Sequence, residues 1–278
     1  MADRPTPPPL DPAVRAYYER RPEETRLQNG ASRMEGARTR ELVERLAPPP
    51  PGRVLDVGGA AGVYAFWLAE RGYTVHLVDP VERLVRLAEE ANEGRPRGLA
   101  SVRVGDARDL PFDDGSADIV LLLGPMYHLP ERADRLRALG EARRVLRSEG
   151  LLFAACITRW ASLMDGVAFD YLADPVFAAL VEEDLRTGVH RNPEGKPGYF
   201  TTSFFHRPEE FRTEIEEAGF EVQGVYGLEG PTRMLTDFDE RWADPRRRED
   251  MLRVARETEL EPSLLGINPH LLGVGRAP

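Results

Sequence analysis

The sequence predicts an α/β fold: a doubly wound, mostly parallel sheet of seven strands, with a helical cap before it and insertions over it. Three observations carry that expectation. Between residues 53 and 157, short apolar runs alternate with longer segments of helical periodicity. Such alternation demands parallel strands joined by right-handed crossovers, with ligands at the carboxyl ends of the strands. The first strand, Val54-Leu55-Asp56-Val57, runs into a turn of small residues, Gly58-Gly59-Ala60-Ala61-Gly62, that opens a helix. Acids also follow three successive strands: Asp56, Asp79 and Asp106, the last in Gly105-Asp106-Ala107.

Taken in order, residues 1–12 are proline-rich and read as a flexible start. Two helical pieces come next, 12–20 and 32–46, the second with Met34, Ala37, Leu42 and Leu46 at roughly helical spacing, so that residues 13–47 form a cap. Pro48-Pro49-Pro50-Pro51-Gly52 stops the helix and opens the main domain, 48–278. Strands are expected at 53–57, 74–78, 101–104, 117–123 and 151–157, and helices at 63–71, 82–93 and 132–146. The last helix shows Leu136, Leu139 and Leu146 as an apolar stripe with an arginine-rich outer face.

After residue 157 the rhythm breaks. Residues 158–206 are rich in aromatics without a clear sheet pattern, which reads as a lid rather than a connector. Arg207-Pro208-Glu209 restarts a helix that ends at Gly219, and 220–228 makes the sixth strand. A second insertion, 230–268, contains Phe238, Trp242 and a helical 246–259, and 271–274 suits a closing strand.

Composition narrows the function. The formal net charge of -10 argues against a nucleic-acid partner, which needs a basic surface to replace counterions. Lys196 is the only lysine, a sign of codon bias before function. Cys156, the single cysteine, sits in an apolar run and reads as a buried structural thiol, so neither a disulfide framework nor a metal cluster is expected. The first residues lack an apolar signal core and no stretch approaches a membrane span, so a cytoplasmic protein without a membrane partner is expected.

An acid at a strand end can hold a cationic ammonium, and a turn poor in side chains lets backbone N–H groups approach a ligand. Asp79, at the end of the second strand, is placed to accept hydrogen bonds from a ribose. The nicotinamide-binding fingerprint fails here: its register from Gly58 reaches Ala60 and Val63 where glycines are required, and Asp56 would repel a pyrophosphate. The order Val-Leu-Asp-Val-Gly-x-x-x-Gly, Leu-Val-Asp, Gly-Asp-Ala and Ala-Asp-Ile-Val resembles the class I S-adenosylmethionine-dependent methyltransferases over residues 53–157, and more weakly through the last helix and two strands. The resemblance implies that family's Rossmann-like fold, S-adenosylmethionine as cofactor, and a last strand antiparallel beside the sixth. It implies that Asp56 lies near the cofactor ammonium, that Gly58, Gly59 and Gly62 form the turn past which it lies, that Asp79 and Pro80 meet the ribose, and that Asp106 and Ala107 meet the adenine edge. One position departs from the pattern: Ala60 replaces the family's middle glycine. In similar proteins a leading helix closes over the cofactor, which brings in Tyr17 and Arg33.

Related enzymes place residues after the fourth strand beside the transferring methyl group, which makes Tyr127 and His128 the candidates for the reactive centre, His128 either as a base or as a positioning group. Within the aromatic lid, His190, Asn192, Tyr199 and His206 are the candidates for binding a small-molecule substrate, against the reading that the aromatics are the lid's own core. The expected activity is methyl transfer to a small-molecule N, O or C nucleophile. A catalytically silent cofactor-binding module and a methyltransferase acting on RNA or protein are the alternatives.

Overall fold

A computed structural model describes residues 6–196 and 198–278. The expected strands form in the expected order: β1 (Arg53–Val57), β2 (Thr74–Asp79), β3 (Ser101–Val104), β4 (Ala117–Leu122) and β5 (Leu146–Thr158). They pair in the order β3-β2-β1-β4-β5, all parallel. The strand that ends the chain, β9 (His270–Arg276), inserts antiparallel between β5 and β8 (Glu221–Gly227). The order of the first strands reverses between β1 and β4, so the crevice of the sheet opens above those two strands.

Alternation along the strands divides the core. Leu55, Val120, Leu122, Leu152, Ala154 and Cys156 face one side, where they meet α5 (Arg132–Val145) and α8 (Pro208–Glu217) through Leu139, Phe211 and Ile215. Val54, Ile119, Leu121, Leu151 and Phe153 face the other, against α2 (Ser32–Leu46), α3 (Val63–Glu70) and α4 (Glu82–Asn92). Cys156 is wholly buried and burial pushes its thiol pKa up, which suits a structural role.

Three expectations need correction. Among the described residues the sheet has nine strands, not seven, because the segment after β5 is not sheet-free. It folds as α6 (Ala161–Ala168), α7 (Pro175–Thr187) and a short hairpin, β6 (Val189–His190) with β7 (Ser203–His206). β7 runs parallel to the end of β5, pairing Phe205 with Ile157, beyond the point where β4 stops. Such short strands lack the periodicity that a sequence reading needs. Second, of the proline-rich start, residues 1–5 lie outside the described residues, but the stretch from Pro8 to Asp11 is anchored. Pro8 accepts a hydrogen bond from Arg108 Nη2 at 2.5 Å, and Asp11 caps α1 (Pro12–Arg20) by accepting from Ala13 N at 2.7 Å. Third, β5 begins five residues earlier than expected, at Leu146 rather than Leu151, so that α5 ends at Val145.

The second insertion forms α9 (Phe238–Ala243) and α10 (Pro245–Thr258), which pack on α2 through Met34, Phe238, Met251 and Ala255. Charge locks them there: Glu259, just past α10, takes both Arg38 and Arg45 of α2. A second buried network ties β7 to α5 and α8. Arg135 forks onto Glu214 at 2.7 and 2.9 Å, lies over the Phe204 ring, and shares Glu214 with His206.

Candidate active site

The carboxyl end of β1 is built around left-handed backbone. Gly58 has a φ of +72°, and a Cβ there would stand 2.7 Å from the Pro125 ring, so only glycine lets the loop after β4 close on this turn. Ala60 is left-handed as well, at +48°. Gly62, at +88°, starts α3 and does not face the crevice.

Asp79 is held by the turn. Its Oδ2 accepts from Ala60 N and its Oδ1 from Val81 N, both at 2.9 Å. Asp56 has less support: it is buried, the Ala65 N–H bonds its carboxylate, but its Oδ2 has no hydrogen-bond partner among the described residues. Burial, then the charge of Asp79, pushes its pKa up to about 7, and burial pushes Asp79 up to about 6. Two buried acids side by side with an unpaired oxygen fit a cationic ligand with hydroxyl groups, because an ammonium satisfies the orphan oxygen and offsets its desolvation.

Both acids line one cleft, with Gly58, Gly59, Pro80, Asp106, Ala107, Tyr127 and His128 in the same wall. Asp106 is partly committed, since Arg108 holds it through N, Nε and Nη2 at 2.7–2.9 Å. A carboxylate has about four acceptor sites, so one is left for a ligand edge. The cover comes from the chain's start. Leu10, Val14 and Tyr18, spaced four apart, present one face of α1 and its leader to the cleft.

His128 has no free nitrogen. Tyr18 Oη lies 2.7 Å from its Nε2, and Thr202 O lies 3.3 Å from its Nδ1. A carbonyl only accepts, so Nδ1 carries the hydrogen and Tyr18 donates to Nε2. Burial pushes the pKa of His128 down to about 4 and raises that of Tyr18 well above its ordinary value. Tyr127 is buried, donates to Leu123 O at 3.0 Å and packs edge-on against His128.

A second cavity meets the first at Tyr18, Glu23, Arg26 and Tyr127. Its walls are aromatic, with Tyr17, Phe169, Tyr171, Phe177, Phe200 and Phe205, and His190 is among them. Tyr17, expected at the cofactor, faces this cavity instead, because it sits one position off the Leu10–Val14–Tyr18 face.

Four other candidates lie elsewhere. Arg33 bonds Asp239 and lies over Phe238 and Trp242, away from both cavities. The arginine at the junction is Arg26, which sequence reasoning missed together with Tyr18. Arg26 grips Glu35 with two hydrogen bonds, at 2.6 and 2.9 Å, and Glu23 with another at 2.6 Å. Burial works against its charge, but Glu35 and Glu23 outweigh it and raise its pKa. Asn192 is engaged within its own loop, through Lys196 and the Tyr199 carbonyl. Tyr199 donates to Asp174 at 2.7 Å and packs with Phe177 and Val181 in the core of the lid. His206 is fully buried beside Glu214, inside the Arg135 network.

Comparison with known proteins agrees with this geometry. Residues 55–154 match the model of a methyltransferase domain. The chain is 31% identical over 177 residues to a malonyl-[acyl-carrier protein] O-methyltransferase of Geobacter sulfurreducens, covering 63% of this chain and 58% of that protein. It is 30% identical over 170 residues to nocamycin O-methyltransferase of Saccharothrix syringae, covering 57% and 59%. The chain thus matches less than two thirds of the length of these curated relatives. In fold it is similar to the PH0226 protein of Pyrococcus horikoshii, with a TM-score of 0.60 at 17% identity, covering 95% of this chain and 99% of that one.

Proposed function

This chain belongs to the class I S-adenosylmethionine-dependent methyltransferases, and on that premise we propose that it transfers a methyl group to a nucleophile on a small molecule. The observation that carries this reading is the meeting of two cavities at Tyr18 and Tyr127, one lined by acids and one by aromatic rings. S-adenosylmethionine, the family's cofactor, supplies an electrophilic methyl group on a sulfonium.

In this reading Asp56 holds the cofactor ammonium, with the Gly58–Gly59 turn beside it. Asp79 and Pro80 take the ribose side, and Asp106 and Ala107 take the adenine edge. Leu10 and Val14 cover the cleft and keep water out. Residues 13–47, 158–206 and 230–268 are the cover of the site. The substrate enters the aromatic cavity, and its nucleophile is oriented where that cavity opens past Tyr18 and Tyr127. Orientation alone can supply roughly 7–11 kcal/mol of a barrier of this kind. His128, neutral and already accepting from Tyr18, acts as a positioning group that fixes the Tyr18 hydroxyl between the cavities.

The relatives' names support small-molecule and carrier-bound acceptors. Among the described residues no helix is long and apolar enough to cross a membrane, and we place the protein in the cytoplasm. The test is incubation of the protein and labelled S-adenosylmethionine with metabolite extracts, followed by mass spectrometry. A labelled small molecule is expected. Tight cofactor binding with no labelled product in any pool would leave the catalytically silent module as the better reading.

A further inference from the structure

Two buried polar atoms with no hydrogen-bond partner among the described residues belong to side chains that wall the aromatic cavity: His190 Nε2 and Tyr17 Oη. Both rings pack on Phe200, Tyr17 edge-on with centroids 5.4 Å apart and His190 tilted at 6.5 Å. His190 is also stacked on Phe205, so the imidazole is clamped by rings. Its state is set from behind. Asp184, at the end of α7, lies 2.9 Å from His190 Nδ1 and accepts the Ser162 hydroxyl at 2.6 Å on the same oxygen. Gly188, with φ of +81°, turns the chain so that His190 comes back over that carboxylate. A carboxylate only accepts, so Nδ1 carries a hydrogen, and an imidazole whose one hydrogen is there offers Nε2 as an acceptor.

Ser162 bonds the carboxylate and not Nε2, so the trio is not built to activate a serine nucleophile. The charged groups of the wall are matched by neighbouring charges: Arg233 with Asp165, Arg21 and Arg26 with Glu23 and Glu35, and His270 with Glu229. A ligand in this cavity therefore needs no net charge. Among the described residues of the wall, His190 Nε2 and Tyr17 Oη are the buried polar atoms left without a partner, between flat apolar faces.

We propose that the Asp184–His190 dyad and Tyr17 form the recognition point for the substrate, and that the substrate class is a neutral, planar, hydroxylated ring. The ring hydroxyl donates to His190 Nε2, and an oxygen of the same molecule accepts from Tyr17 Oη. The ring lies between Phe200, Phe205, Phe177 and Tyr171. This identification rests on the aromatic cavity being the acceptor side of a methyltransferase, and it names recognition rather than chemistry, because the reacting atom belongs at the Tyr18–Tyr127 end.

The test uses 2-naphthol and its methyl ether, 2-methoxynaphthalene, as probes, titrated calorimetrically into the full chain with S-adenosylhomocysteine present. The naphthol is expected to bind at least about tenfold more tightly than the ether, the size of one hydrogen bond to a buried acceptor. His190→Phe should erase that preference with S-adenosylhomocysteine affinity unchanged. Asp184→Asn, which can donate to Nδ1 and so turn Nε2 into a donor, should erase it without altering the ring's volume. In ¹⁵N spectra of labelled histidine, the Nε2 resonance of His190 should move with the naphthol and not with the ether. Equal affinity for the two probes, no binding of either, or a preference that survives both variants overturns the proposal. Failure to bind S-adenosylhomocysteine, with the naphthol preference intact, would instead remove the methyl-transfer reading and leave the recognition point standing.

Discussion

Ala60 donates its backbone N–H to Asp79 Oδ2 at 2.9 Å from a left-handed conformation, φ +48°. The residue that departs from the family's glycine pattern is thus the one that holds in place the acid assigned to the ribose. A side chain in that region costs about 1–2 kcal/mol, partly offset by the smaller entropy that alanine loses on folding. Ala60→Gly should therefore stabilise the protein by about 0.5–1 kcal/mol and leave the hydrogen bond to Asp79 intact. Thermal melts give the first quantity. Calorimetry with S-adenosylmethionine should show affinity within about twofold of the parent.

Asp79→Ala should weaken cofactor binding by about 1–3 kcal/mol through lost charge-assisted hydrogen bonds. The same change strips the Ala60 and Val81 N–H groups of their acceptor, so the melting temperature should fall too. Asp79→Asn keeps one acceptor oxygen and so spares one of the two N–H groups, and its melting temperature should lie between those of Asp79→Ala and the parent. Unchanged affinity in both variants would end the ribose assignment.

Asp56 and Asp79, pushed up to about 7 and about 6, make cofactor binding depend on pH. Their folded values exceed the unfolded ones, so the protonated acids stabilise the ligand-free fold at low pH, and that contribution is lost as pH rises through 6 to 7. A bound ammonium prefers the ionised acids, so binding releases protons in that window. Affinity should rise with pH between about 5.5 and 7.5, by up to about tenfold per pH unit for each proton released. Titrations in buffers of different ionisation enthalpy would count the protons, and Asp56→Asn should flatten the curve.

For His128 the expected outcome is modest. A base is most effective near the working pH, whereas burial holds this imidazole at about 4 with its acceptor nitrogen occupied by Tyr18. His128→Asn should lower kcat by about tenfold or less, with no limb of the pH–rate profile lost. A fall of several hundredfold, together with loss of an acidic limb, would restore the histidine as the base.

How much of this was legible depends on periodicity. The acids at Asp56, Asp79 and Asp106 could be read because a parallel sheet sends every strand end to one edge, so linear order becomes spatial order. The choice between Tyr17 and Tyr18 was also present in the sequence, in the spacing of Leu10, Val14 and Tyr18, but a short helix after a proline-rich start gives little phase to read. Arg26 and Arg33 could not be told apart, since the deciding partner is Glu35 on α2 in one case and Asp239 on α9 in the other. The lid was the least readable part. His190, Tyr199 and His206 look alike in a run of aromatics, and only tertiary partners distinguish a histidine facing a cavity from one locked against Glu214.

The last prediction concerns the contacts that hold the cap down. Glu35 of α2, Glu229 after β8 and His270 of β9 bring their ligand-type atoms within 4.8 Å of one another. Arg26 grips both oxygens of Glu35, and His270 Nδ1 lies 2.5 Å from Glu229 Oε1, so the negative charge is already met by two cations. Burial works against the charge on His270, but Glu35 and Glu229 outweigh burial and the repulsion of Arg26, and its pKa is raised. Glu35 is held down at about 2: burial opposes its charge, and Arg26 and His270 overcome that. The signs differ. The contribution of Glu35 is present above its unfolded value and disappears only as pH falls toward 2. That of His270 is full below its unfolded value of about 6.5 and is lost as pH rises through its higher folded value. The protein should thus lose thermal stability on the alkaline side of neutrality, and its first helices should exchange amide hydrogen faster there. His270→Gln should be less stable at about pH 6 and should lose less stability than the parent between about pH 7.5 and 9, above the window in which Asp56 and Asp79 titrate. Zinc added at about pH 7.5 should leave the melting temperature of the parent unchanged, because a metal would have to displace Arg26. A zinc-dependent rise that His270→Gln abolishes would show that the cluster takes a metal in preference to the ion pairs.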